Sequence, residues 1–533
     1  FAYFNNLVLL ACFMGLGLGC YFFERKLNSL LTWVFLAILI LMVRMPLFIG
    51  ITDLFRGFYN SNMLGVVIDK SIFIILEGVI LTILMFFVIS CVFFPLGQLL
   101  GAMFNSHRST IFAYSLNIFG NIVGIWFFSF LSFLYAPPWV WFISSACLGI
   151  AFLNNENKRN IFVLLFISIF SLLMMHSSKK TQFTLWTPYQ KLEVNKSAHK
   201  NGYNVLVNNV NYMGLYDISE GFVAKNFNDF EKARRINQYE IPYLLKKDIK
   251  DVLIVGSGGG NDVAAALRNN VKTVDAVEID PGIYKLGVLL HPERPYSDKR
   301  VRVFIDDARS FFKKTKKKYD AICFGLLDAH TSSSNYNNVR LDHYVYTQES
   351  FKEAKGLLKP NGIMTIVFEV KREWIGDRIH HLLKETFNKE PLVFTIRTPA
   401  ELFGWGGVMY VTGFNISSIY SCLDGDKDLK NFVELNKTTY KGTQIKDSTD
   451  DWPYFYLRTN VIPVPYICII LSLIIIFLIG AKTILSRAGN INLHFLFLGA
   501  AFMLLEFQNI TKSSLLFGST WIVNAYTITA LLF

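Results

Sequence analysis

The sequence predicts a multi-pass α-helical membrane protein with an inserted α/β domain, a parallel sheet with crossover helices entered through a β-hairpin subdomain. Three observations predict it. The 533-residue chain is 52% hydrophobic and only 17% charged, against about 25% charge in an ordinary soluble domain. The charge is also unevenly placed. Residues 1–176 hold eight Lys/Arg and five Asp/Glu and residues 461–533 hold three and one, leaving 41 of the 52 basic and 34 of the 40 acidic residues for 177–460. Finally, the middle segment alternates β-rich runs with helical ones around a glycine-rich turn. Disorder, collagen and a disulfide-rich secreted scaffold are excluded. The chain begins at Phe1 and stops at Phe533 inside an apolar run, which reads as a piece of a longer protein.

Crossing a bilayer takes about 20 apolar residues. Spans are expected at 4–23, 30–51, 72–95, 110–134, 137–153 and 160–176, about six in residues 1–176, and at 463–480, 491–507 and 518–533, about three in residues 461–533. Pro95 is expected to end the third helix, because proline removes a helical hydrogen bond. Gly15, Gly17 and Gly19 in the first span, and Gly120 and Gly124 in the fourth, suit close helix–helix approach. Arg44, Glu77, Asn117, Asn121, Glu506 and Gln508 fall at membrane depth. An ionisable group there marks a pathway or snorkels to the interface, and the sequence leaves both open. Cys12, Cys20, Cys91, Cys147, Cys323, Cys422 and Cys468 show neither metal spacing nor a disulfide framework, so no metal is expected.

Residues 177–245 read as a β-hairpin subdomain. Tyr189–Val194 and Tyr203–Val210 alternate apolar and polar residues across polar turns, and a charged helix is expected around Asn228–Leu245. Residues 246–460 form the α/β domain. Asp251–Val255 is a buried strand that runs into Gly256-Ser-Gly258-Gly-Gly260-Asn-Asp262 and then a helix. Glycines there allow a tight turn and close approach of a ligand, and the helix N-terminus offers free N–H groups. Asp262, closing the run, belongs to the same expected cofactor-binding set. The second strand, Thr273–Asp280, carries Glu278 about 20 residues after the loop, where a carboxylate can accept both ribose hydroxyls. The third strand ends in Asp306–Asp307, placing Asp307 to accept from an adenine amino group. The fourth, "YDAICFGLL", leads to Asp328, with His330 two residues on. The fifth, "GIMTIVFE", follows a turn at Lys359–Gly362. Glycine loop, ribose acid and adenine acid together indicate an adenosine ligand without a pyrophosphate, and the lack of a Walker-type lysine after the glycines argues against ATP. The lysine run Lys313–Lys318 reads as a solvated helix end, or one facing anionic lipid. It lacks interleaved aromatics, so no nucleic-acid partner is expected.

The runs "YQKLEV", "VLIVGSGGGND", "VEID", "DDARSF", "YDAICFGLLD" and "YTQESF" resemble the spermidine synthase branch of the S-adenosylmethionine-dependent, Rossmann-like methyltransferase fold. "LHPERPYSDKRVRVFIDDARSFF", "TDDWPYFYLR", "AYSLNIFGNIVGI" and "LLEFQNITKSSLLFGSTW" extend the resemblance to the membrane-fused spermidine synthase-like proteins of bacteria. The resemblance implies that Gly256, Gly258 and Gly260 line the nucleoside, Glu278 binds ribose, and Asp307 and Ala308 hold the adenine edge. It also makes Gln190 a substrate-side residue. Its implied co-substrate is S-adenosylmethionine or the decarboxylated form, its acceptor a small-molecule amine or a membrane-associated molecule, and its setting a bacterial inner membrane. Aminopropyltransferases carry an Asp-x-x-Asp after the fourth strand; here Gly325 takes the first position and Asp328 the second. Asp328 is the expected catalytic carboxylate, with His330 as an alternative base. Tyr346 either bonds the ligand or packs at a strand edge.

Three functions stay open: aminopropyl transfer, methyl transfer to a membrane-associated substrate, and transport governed by a nucleoside-sensing domain. A homo-oligomer is compatible with each. The loop charges, taken with this helix count, would place the middle domain outside. The supply of an S-adenosyl compound places it in the cytoplasm, and that is the expectation kept.

Overall fold

A computed structural model describes residues 5–25, 30–44, 72–153, 158–174, 182–197, 201–208, 210–226, 235–327, 344–370, 372–397, 404, 406–440, 445–459, 461–462, 464–480 and 490–533. Two sheets lie at the centre, with apolar helices on either side of them in the sequence. The leading helices are Asn5–Tyr21, Leu30–Arg44, Ile72–Ser106, Thr110–Phe133, Pro138–Leu153 and Lys158–Met174, and the trailing ones Val464–Gly480, Asn490–Phe517 and Trp521–Leu532. Among the described residues, three stretches are long and apolar enough to cross a membrane: Val79–Ser106, Thr110–Phe133 and Leu493–Phe517.

Helix Asn5–Tyr21 lies along Ile72–Ser106 through facing small residues. A Cβ on Gly15 or Gly19 would collide with the carbonyls of Ser90 and Phe94, and one on Gly97 or Gly101 with those of Leu16 and Cys20. Backbones this close need glycine on both sides. Gly17, Gly120 and Gly124 play no such part, since nothing lies within 4 Å of a Cβ added there. Helix Thr110–Phe133 buries none of its residues. The expectation that Pro95 ends its helix is also corrected, because the helix continues through Pro95 to Ser106. On outer faces, Asn121 and Gln508 are exposed, and Asn117 and Glu506 are half-buried. The side chains of Arg44 and Glu77 lie outside the described residues.

The first sheet is an antiparallel meander of β1 (Phe183–Trp186), β2 (Lys191–Lys196), β3 (Gly202–Val207) and β4 (Val210–Tyr216), with a bulge at Val205/Leu206. Alternation puts Leu192, Val194, Val205, Val207 and Leu215 inward, where they pack on Ile283 and Leu286 of helix Pro281–Leu290. The charged helix expected over 228–245 is reduced, among the described residues, to one turn at Ile241–Leu245. Residues 227–234 lie outside the described set.

The second sheet contains β5 (Asp251–Val255), β6 (Thr273–Glu278), β7 (Val301–Ile305), β8 (Tyr319–Phe324), β9 (Leu358–Phe368), β10 (Leu392–Ile396) and β11 (Gly407–Gly413), in the order β10-β11-β9-β8-β5-β6-β7. Strands β5 to β9 run parallel, and β11 is antiparallel to both its neighbours. Buried on both faces, the central strands β5, β6 and β8 are nearly continuous apolar runs rather than alternating ones, whereas the edge strand β7 is partly exposed. Leu253, Val255, Ile322 and Phe324 face one core; Val252, Ile254, Ala321 and Cys323 face the other. Each such Val, Leu, Ile or Phe stabilises the fold by about 1.5–3 kcal/mol. Strand β9 takes in the expected turn at Lys359–Gly362 as an irregularity, with the register shifting between Tyr319 and Ala321.

This is the Rossmann-like, methyltransferase-type arrangement. Chain order reverses between β5, which continues to β6, and β8, which lies on its other side. The crevice at that switch point, beyond the strands' carboxyl ends, is where such sheets bind ligands.

Candidate functional site

The crevice is built from the β5 turn outward. Gly256, Gly258 and Gly260 adopt φ values of 69°, 55° and 107°, a left-handed region that disfavours side chains. A Cβ on Gly256 would collide with Leu327. The turn leads into helix Asn261–Arg268, whose first residues, Asn261 and Asp262, line the crevice. Gly256, Gly258, Asp262, Glu278, Asp307, Ala308 and Gln190 all line one pocket. Gly260 lies just behind it, against Pro295 and Tyr296.

Glu278 ends β6 and is 6% exposed. Its Oε2 accepts the Gly258 N–H at 2.8 Å and its Oε1 the Asp280 N–H at 3.0 Å. Burial pushes its carboxyl up to about 7, although these N–H groups oppose the shift. Asp262 is raised to about 7, again by burial, and Asp280 to about 6. The pocket therefore gathers acids that a cationic or hydroxyl-bearing ligand would satisfy. This local field is opposite to the basic excess of the segment as a whole.

Sequence reasoning missed Asp280. It caps helix Pro281–Leu290 by accepting the Gly282 N–H at 2.8 Å, and it accepts from Thr187 Oγ1 at 2.9 Å and Gln190 Nε2 at 3.0 Å. Asp280 thus ties the meander to the α/β sheet, and Gln190 reaches the pocket through that bond. An Asp-Pro at a strand-to-helix junction is a helix-start signal that could have found it.

Asp307 is 2% exposed and caps helix Ala308–Lys314, accepting the Ser310 N–H at 3.0 Å. Beneath it a polar network joins three separated segments. Arg309 pairs with Asp450 at 2.7 Å, Thr347 Oγ1 donates to Asp450 at 2.9 Å, and Glu349 accepts the Asp450 N–H at 3.0 Å. Arg378, 1% exposed, donates to the carbonyls of Lys446, Phe455 and Leu457. These contacts account for "DDARSFF", "YTQESF" and "TDDWPYFYLR" as one structural unit.

Tyr346 lies outside the pocket lining. It is fully buried and its ring stacks on Phe455 at 5.0 Å between centroids. Asp328 and His330 fall outside the described residues. Gly325 is crowded, since a Cβ there would sit 2.8 Å from the Gly256 carbonyl and 3.6 Å from Asp262 Oδ2. The lysine run is not simply solvated. Lys313 donates to the Leu515 carbonyl at 2.7 Å, Lys314 pairs with Asp306 at 2.7 Å, and Lys317 with Asp275 at 3.3 Å.

Residues 238–411 match the spermine/spermidine synthase domain family. The chain is 30% identical over 187 residues to polyamine aminopropyltransferase 2 of Aquifex aeolicus, covering 34% of this chain and 36% of that protein. It is 30% identical over 144 residues to a polyamine aminopropyltransferase of Korarchaeum cryptofilum, covering 26% and 42%. The chain thus spans about two fifths of the length of these relatives. The Thermotoga maritima spermidine synthase structure aligns over 53% of this chain and 85% of its own, at 14% identity and a TM-score of 0.34. The chain is spermidine synthase-like, and the likeness lies in the sheet that carries the glycine turn, Glu278 and Asp307.

Proposed function

We propose that the protein is a membrane-anchored transferase of the aminopropyltransferase type, using decarboxylated S-adenosylmethionine as donor and an amine as acceptor. The observation that carries this reading is Glu278, a buried carboxylate held by the Gly258 N–H at the crevice of a switch-point sheet. Its remaining lone pairs suit the two ribose hydroxyls, and Asp307 beyond β7 suits the adenine amino group. Gly256 and Gly258 let the nucleoside lie against backbone. In aminopropyl transfer, the amine lone pair attacks the carbon beside the sulfonium, the C–S bond breaks, and its electrons leave neutral methylthioadenosine. The proton lost by the amine passes to a carboxylate. Asp262, raised to about 7 and facing this pocket, is suited to take it; Asp328 is the second candidate and His330 a third.

A second reading, methyl transfer from S-adenosylmethionine, is favoured by Gly325. The first acid of the Asp-x-x-Asp pattern has no room there without backbone movement, and it would meet Asp262. The long apolar stretches support anchoring in a bilayer, by length and composition, with the transferase part on the cytoplasmic side. Incubation of the purified full chain with either donor and a panel of amines tests both readings. Methylthioadenosine and an aminopropylated amine support the first; S-adenosylhomocysteine supports the second.

A further inference from the structure

The last two apolar helices meet the pocket from behind. Helix Asn490–Phe517 ends at Gly518, whose φ of 99° and N–H bond to the Ser514 carbonyl at 2.9 Å turn the chain sharply. Gly518 and Ser519 are buried against the start of helix Ala308–Lys314. A Cβ on Gly518 would lie 2.7 Å from Asp307 Cβ and 3.1 Å from Ser310 Cβ. The main-chain N–H groups of the buried Ser519 and of Trp521 come near the Asp307 carboxylate and the Tyr189 phenol and favour their ionised forms. Lys313 ties the same helix pair down through the Leu515 carbonyl. Nothing in the α/β domain itself requires this turn. It is a separate element of chain, more than 200 residues away in sequence, wedged behind the acid that faces the pocket.

We infer that the Gly518–Ser519 turn is a positioning element for the nucleoside, its packing against the Asp307 side chain orienting the carboxylate that reads the adenine amino group. A carboxylate offers about four lone-pair sites. The Ser310 N–H occupies one on Asp307 at 3.0 Å, and the Gly518 turn packs on its Cβ. The remaining sites are left to the pocket that Asp307 lines, and the seat of the apolar helices helps fix where they point. Nucleoside recognition is then coupled to how those helices are seated. This inference rests on the nucleoside-binding reading above.

The experiment uses the full chain in detergent and compares methylthioadenosine with methylthioinosine, whose 6-oxo group cannot donate to Asp307. Gly518→Ala pushes the turn off Asp307. It is expected to weaken methylthioadenosine at least about tenfold, the loss of a charge-assisted hydrogen bond, while leaving the weaker methylthioinosine nearly unchanged. Gly499→Ala on the same helix, with open space around it, is expected to change neither. Preference for the 6-amino ligand retained in Gly518→Ala, or both ligands weakened equally, overturns the inference. If Gly518→Ala does not fold, hydrogen exchange on the wild-type chain decides. Methylthioadenosine should slow exchange at 514–521, and protection of 256–262 without any at 514–521 overturns the inference. Absence of binding by the wild-type chain removes the nucleoside reading and this inference with it, whereas binding indifferent to the turn removes this inference alone.

Discussion

Glu278 and Asp262 are acids that the fold keeps out of water, and their chemistry follows from that. Burial favours the protonated form, so both titrate near 7 rather than near 4. A ligand that bonds the carboxylate of Glu278 must find it ionised. Affinity for methylthioadenosine is therefore expected to rise as pH goes from 5.5 to 8, and titration calorimetry at several pH values checks it. Glu278→Gln keeps the shape but loses the charge, and should weaken the ligand by about 1.5–3 kcal/mol, or roughly 10- to 150-fold, while removing most of that pH dependence. Stability runs the other way. The folded protein holds these protons more tightly than the unfolded chain, so it is expected to lose stability between about pH 4 and 7 and to gain it on acidification from neutrality. Melting curves of the Asp262→Asn, Glu278→Gln double variant should show a flatter pH profile. Glu278 was legible in the sequence because strand, glycine turn and spacing all point to it. Asp280 was missed because its partners, Thr187 and Gln190, lie some 90 residues away and only the folded meander brings them to it.

Strands β5 to β8 and the glycine turn could be placed from local patterning, since a buried parallel strand is an uninterrupted apolar run. Strands β10 and β11, beyond the expected sheet, could not. Their place depends on antiparallel pairing with β9, which no local signal encodes. Of the helix expected around 228–245, only the part from Arg235 onward lies among the described residues, and there a short turn at Ile241–Leu245 stands in its place. Among the apolar helices, glycine count was a poor guide and glycine facing was the useful quantity. Gly19→Val places a side chain against Phe94 and Gln98 backbone. It should destabilise the helix pair by about 1–3 kcal/mol, as overpacking does. Gly124→Ala, on an open face, should cost nothing measurable. Thermal unfolding of the two variants in the same detergent separates these outcomes. Gly325→Asp, attractive as a way to restore the Asp-x-x-Asp pattern, now looks unfavourable, because it crowds the Gly256 carbonyl and sets a like charge beside Asp262.

Across the whole molecule, three stretches of chain converge on one acid pocket: the meander through Asp280, the α/β sheet through Glu278, and the trailing helices through Asp307. The floor is held by Arg309 and Asp450, from segments that the sequence motifs had marked without showing why. Asp450→Ala leaves Arg309, 2% exposed, with Glu353 at 3.2 Å as its one carboxylate partner among the described residues. The expected loss is about 3 kcal/mol of stability, readable in a chemical denaturation midpoint. The proposed cytoplasmic placement of the pocket has its own check. A cysteine introduced at Ser333 should escape an impermeant thiol reagent in intact cells and react once they are opened; reaction in intact cells would place the pocket outside.

The account stands or falls on the donor. Purified full chain incubated with decarboxylated S-adenosylmethionine and polyamine-type amines is expected to release methylthioadenosine and an amine enlarged by one aminopropyl group, both lost in Glu278→Gln at neutral pH. Mass analysis showing no methylthioadenosine, with S-adenosylhomocysteine formed from the ordinary donor instead, would contradict aminopropyl transfer and leave a methyltransferase in its place.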